Sequence, residues 1–90
     1  MSQHTFSRPG HHVSTGWSRR QRNFFLIIRR GDQAVYDHRL DPEATRGGLS
    51  LEQIQERLDE HRIVAPPGLL NALQDDLLHN RGGHEECWDQ

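Results

Sequence analysis

Three residues near the end of the chain have the types and spacing from which a metal site could be built. His79, His84 and Cys87 stand five and three positions apart, beside Glu85 and Glu86, and His11-His12 would complete a set if the chain ends met. Zinc takes imidazole and thiolate ligands in a tetrahedral arrangement, so these side chains suit it. Against a site, there is no second cysteine pair, the spacing fits structural zinc patterns loosely, and the residues fall in what reads as a flexible tail. Scattered, solvent-exposed histidines are the better account, and neither a metal nor another cofactor is expected. The chain also has no HExxH, no nucleophile elbow and no phosphate loop. No enzyme is expected.

A second constellation lies earlier. Arg19, Arg20, Arg22, Arg29, Arg30 and Arg39 are interleaved with Trp17, Phe24, Phe25 and Tyr36. Strand-borne aromatics among arginines are what single-stranded nucleic acids meet, the cations tracking phosphates while the rings stack on bases. The same residue types are enriched at the centres of protein–protein interfaces. No RNP, KH or zinc-finger pattern accompanies them, and the acidic residues downstream oppose a polyanion. Protein binding is therefore the primary expectation, with Trp17, Phe25, Ile27 and Tyr36 as its apolar contact and Arg20, Arg22 and Arg29 around them. Single-stranded nucleic-acid binding by the same surface is the alternative.

Charge is divided along the chain. The first forty residues hold seven arginines against Asp32 and Asp37, about +5, and the remaining fifty hold four arginines against eleven acids, about −7. There is no lysine. Such a division steers partners without determining chemistry. Glu52, Glu56, Asp59, Glu60 and Asp75, with Asp76 at the margin, form an acidic helical surface able to meet a basic protein groove. The single cysteine excludes an intramolecular disulfide, and without a secretory pattern or a long apolar run the chain reads as a cytosolic protein with no membrane partner.

Positioning these groups requires a fold, and the periodicities supply one. Residues 1–10 and 81–90 read as flexible ends around a single domain over 11–80. Val13, Thr15 and Trp17 alternate as a short strand, and Phe24 to Ile28 is a β-prone run that is apolar on both sides. Arg30-Gly31-Asp32 turns it into a return strand over Gln33 to Arg39. Asp41 to Ala44 reads as one turn of helix stopped at Gly47-Gly48. Ser50 caps a helix to Arg62, Gln53 completes a capping box, and Leu51, Ile54 and Leu58 share a face. Pro66-Pro67-Gly68 breaks the chain before a second helix carrying Leu69, Leu70, Leu73 and Leu77.

The expected fold is α+β, a three-stranded antiparallel meander followed by two helices on one face (β-β-β-α-α). Two helices can cover only one side of the apolar central strand. Either Phe25 and Ile27, or Phe24, Leu26 and Ile28, must meet something else. A homodimer through the sheet is expected, since ninety residues give a marginal core.

The pattern His12-Val13, Gly16-Trp17 and Phe24-Phe25, with a Pro-Pro break before a last Leu-rich helix, resembles a family of small bacterial proteins without a known activity. The similarity spans roughly Val13 to Leu77, and Ser18-Arg19-Arg20 departs from the Asp-and-Pro loop that the resemblance implies there. It implies a bacterial origin and no catalytic residues. In size and mixed charge the chain is also similar to anti-CRISPR proteins and other small inhibitors from mobile elements, which implies an accessory or inhibitory role.

Overall fold

Strand structure begins earlier than hydropathy suggests in the computed structural model, which describes residues 2–44 and 48–89. Ser2–Arg8 form β1, and Pro9-Gly10 turns the chain into β2, His11–Ser18. Gly10 sits at φ 80°, a left-handed turn position that a side chain would resist. β3 (Asn23–Arg30) and β4 (Gln33–Asp37) form the expected hairpin about Gly31-Asp32. After a 3-10 turn at His38–Leu40 come α1 (Leu51–Glu60), α2 (Leu69–Leu78) and a last strand, β5 (His84–Cys87). The sheet order is β4-β3-β2-β1-β5, antiparallel throughout except that β5 runs parallel to β1.

The α+β class and the β2-β3-β4 meander match the sequence reading, but three strands become five. The stretches read as flexible ends contain β1 and β5. The reason lies in which side chains point inward. Ser2, His4 and Phe6 alternate toward the helices and are fully or almost fully buried, so β1 has a strand's period with only one apolar residue on its inner side. At Asp41 to Ala44 the chain makes a turn, with Ala44 N–H donating to Asp41 O at 3.0 Å. Gly47, read as the stop of that segment, lies outside the described residues.

α1 starts as its sequence dictates. Ser50 Oγ accepts from Gln53 N–H at 3.1 Å and Gln53 Oε1 accepts from Ser50 N–H at 2.9 Å, the reciprocal capping box. Its Ile54 and Leu58 join Leu69 and Leu73 of α2 over Phe6, Val13, Trp17, Phe24, Leu26 and Ile28 in one buried cluster. The helices are the connection that carries the chain from β4 at one edge of the sheet to β5 at the other. Both are thereby held to a single face. On α2 the inward stripe is Leu69, Leu73 and Asp76, whereas Leu77 and Leu78 are exposed.

Asp76 is therefore a core residue and not part of the acidic surface. His4 Nε2 lies 2.7 Å from Asp76 Oδ2, and Trp88 Nε1–H donates to His4 Nδ1 at 3.0 Å. An indole N–H can only donate, so Nδ1 accepts and the imidazole proton sits on Nε2, directed at the carboxylate. Arg81 Nε approaches Asp76 Oδ1 to 3.1 Å but off the N–H direction, adding charge proximity without a hydrogen bond. Removing the carboxylate leaves the buried His4 N–H without an acceptor, at a cost of about 1–3 kcal/mol. Asp76→Ala should lower the unfolding free energy by about that amount in urea titration, and replacing both, His4→Phe with Asp76→Leu, should cost less than Asp76→Ala alone.

Candidate protein-binding face

Alternation puts the remaining strand side chains on the face that the helices leave uncovered. One register row crosses all five strands there, running Asp37, Ile27, Ser14, Thr5 and Cys87. A neighbouring row contains Arg29, His12 and Ser7, extended past β5 by Asp89, whose carboxylate accepts from Ser7 N–H at 2.8 Å. That bond holds the Asp89 carboxyl below the usual carboxylate range. On the other side of the middle row, Phe25 pairs with Gly16 and Gln3 with Glu85. Gly16 is needed at this point: a Cβ would stand 2.1 Å from the Ser2 carbonyl oxygen and 3.0 Å from the Phe25 ring. The missing side chain lets that ring lie against the sheet.

Phe25 and Ile27 remain half-buried and lie outside the core cluster. They line a hollow of about 670 Å³ with Gln3, Ser14, Arg20, Arg29 and the His38-Arg39 turn. Arg39 is committed to Asp37, donating from Nε at 3.0 Å and from the guanidinium tip at 2.6 Å. This pair holds the Asp37 carboxyl down at about 2. Among the described residues Arg20 and Arg29 form no ion pair, so the two positive charges beside Phe25 and Ile27 are free for a partner. At the far edge, Glu85, Glu86 and Cys87 line a second hollow of about 340 Å³ with Gln3 and Thr5. The open face thus runs from a basic side at β3 to an acidic side at β5.

Of the residues expected at the contact, the structure gathers Phe25, Ile27, Arg20 and Arg29. Trp17 and Tyr36 are on the other side of the sheet. Trp17 pairs with Phe24 across β2 and β3, packs on it edge to face at 5.1 Å between ring centres, is 5% exposed and donates from Nε1 to Asn80 Oδ1. Tyr36 pairs with Ile28, so it too faces the helices. Arg22 is exposed in the β2–β3 turn at φ 55° and does not line the hollow. The metal candidates are not brought together. His84 and Cys87 are three residues apart on a strand and point to opposite faces, while His79 ends α2 with Nδ1 2.9 Å from Asp75 O. Among the described residues no group of three or more His, Cys, Asp or Glu side chains is placed to hold a metal ion. The acidic half of the face went unread in the sequence because it depends on β5, and His-Glu-Glu-Cys carries no strand signal of its own.

Comparison of the chain with family models, with curated proteins and with solved structures gives no match in any of the three.

The only tyrosine reports on the packing behind this face. Tyr36 OH donates to Asp41 Oδ2 at 2.6 Å, and Arg57 Nε donates to the same oxygen at 3.1 Å. Burial first, and then the bond to Asp41, push the phenol up to about 12. A folded value above the unfolded one, about 10, gives a contribution to stability that is complete below pH 10 and lost as pH rises through 12. Ultraviolet titration of the single phenolate should therefore have its midpoint near 12 in the native protein and fall back toward 10 in Asp41→Asn.

Proposed function

We propose that this chain is a non-catalytic protein-binding module whose contact surface is the open face of its sheet, acting as an accessory or inhibitory factor in a bacterial cytoplasm. One observation carries the reading. The helices are confined to one side of the sheet, and on the other side Phe25 and Ile27 lie in a hollow beside Arg20 and Arg29, which form no ion pair among the described residues. Half-buried apolar groups bordered by arginine have the composition of an interface centre with its rim.

The nucleic-acid alternative loses its main support. A stacking platform uses two or three rings on one face, but Trp17, Phe24 and Tyr36 face the helices and leave Phe25 as the one Phe, Tyr or Trp that the described strands place on the open side. Glu85 and Asp89 at the far edge repel a phosphate backbone crossing the sheet. Against a catalytic reading, the histidine–carboxylate pair His4 and Asp76 in the core has side chains only 1% and 4% exposed, out of reach of any substrate.

The face is tested by Ile27→Glu. Ile27 lies outside the core cluster, so the variant should unfold within about 1 kcal/mol of wild type and lose affinity capture of partner protein. Retained capture overturns the reading. Gel mobility of random single-stranded RNA and DNA should be unchanged by the protein at every salt concentration. A shift that weakens steeply with salt would mean phosphate contacts and favour the alternative.

A further inference from the structure

We propose that the occupant of the open face is a second copy of this chain, packed face to face so that the basic side of each sheet covers the acidic side of the other. The inference rests on the binding reading above and specifies its partner.

The register of the face decides the arrangement. A two-fold axis lying between the sheets and perpendicular to the strands would set β3 over β3 with its rows reversed, bringing Arg29 of one copy towards Arg20 of the other in a contact that excludes water. An axis parallel to the strands, running between β1 and β2, reverses strand order and keeps each row level. β2 then lies over β1 of the second copy, and β3 over its β5. In the middle row Ile27 meets Cys87 of the second copy, and Ser14 meets Thr5. In the next row Arg29 meets Asp89, and across the hollow that Arg20 shares with Phe25 stands Glu85. Ile27 thus meets a small side chain, Phe25 lies in the row of Glu85 with Arg20 beside it, each arginine has an acid within reach, and the symmetry makes every contact twice. Face-to-face sheets turn about 30° from alignment, which the long arginine side chains accommodate.

The available area agrees with a modest dimer. Four overlapping strands about 4.8 Å apart, with β5 and its extension to Asp89 limiting the overlap to about six residues, give a footprint of roughly 19 by 20 Å. That is roughly 760 Å² counted on both copies, below the size of stable specific interfaces, so a weak dimer that forms at tens of micromolar or above is expected. The helices then lie on the two outer sides of the assembly, presenting Glu52, Glu56 and Asp59 to solvent.

Two charge-reversed variants test the arrangement. The first, Arg20→Glu with Arg29→Glu, makes the whole face acidic. The second, Glu85→Arg with Asp89→Asn, makes it basic and keeps an amide oxygen for Ser7 N–H. Light scattering at about a hundred micromolar should give wild type the mass of two chains and each variant alone the mass of one. An equimolar mixture of the variants should return to two chains, because both sides of the mixed pair are again opposite in sign. Circular dichroism confirms that each variant is folded. A wild type with the mass of one chain, variants that still dimerise, or a mixture that stays at one chain overturns the proposal. If wild type has the mass of one chain and Ile27→Glu still abolishes protein capture, the face has another occupant and the binding reading stands. If capture also survives Ile27→Glu, both fall.

Discussion

A buried imidazole bonded on both of its nitrogens joins three parts of the chain that are far apart in sequence. His4 belongs to the first strand, Asp76 to the last turn of α2, and Trp88 follows the last strand. Because the indole can only donate and the carboxylate only accept, the ring has one tautomer and one orientation that satisfy both. That constraint places β1 against β2 beneath α2, and β1 in turn offers its outer edge to β5. Trp88 N–H also donates to Thr5 O at 2.8 Å, extending the pairing past the end of β5. The dependence runs one way. Without β1 there is no parallel partner for His84–Cys87, a strand of four residues with no apolar alternation to hold it elsewhere.

Sheet width is what gives the open face two sides. A meander of β2, β3 and β4 alone would present Phe25 and Ile27 with arginines around them and no counterweight. The two end strands add Gln3, Thr5, Glu85 and Cys87, turning an isolated basic patch into a surface that grades from positive to negative across five strands. The helical layer cannot reach this surface, since the connection from β4 to β5 commits both helices to the opposite face. Packing on that side is complete, with Leu26, Ile28, Ile54, Leu58, Leu69 and Leu73 all fully buried. The asymmetry between a sealed face and an open one thus follows from connectivity, and the charge gradient follows from the ends.

Elements with strong local signals were legible in the sequence. The β3–β4 hairpin, the capping box at Ser50 and Gln53, and the apolar stripe of Ile54 and Leu58 all stand where periodicity put them. So does the consequence that one side of β3 is left uncovered, with Phe25 and Ile27 on it. What escaped was carried by polar residues in apolar positions. Ser2 and His4 occupy inward sites of β1, and Asp76 takes the place on α2 that hydropathy assigns to Leu77. Such substitutions conceal a strand or rotate a helix face, and only a partner distant in sequence makes them stable. Pro9-Gly10 was a turn signal within reach, but without an apolar strand before it nothing indicated a hairpin. Trp17 and Tyr36 were assigned to the contact by residue type, whereas register assigns them to the core.

Amide hydrogen exchange resolved by residue tests the account most directly, because everything on the open face depends on the chain ends being strands. The account predicts that amides of β1 and β5 are protected together with those of β2 and β3, and that the first two lose protection jointly when Asp76 is replaced by alanine. Free-peptide exchange rates across residues 2–8 of the wild-type protein would contradict it.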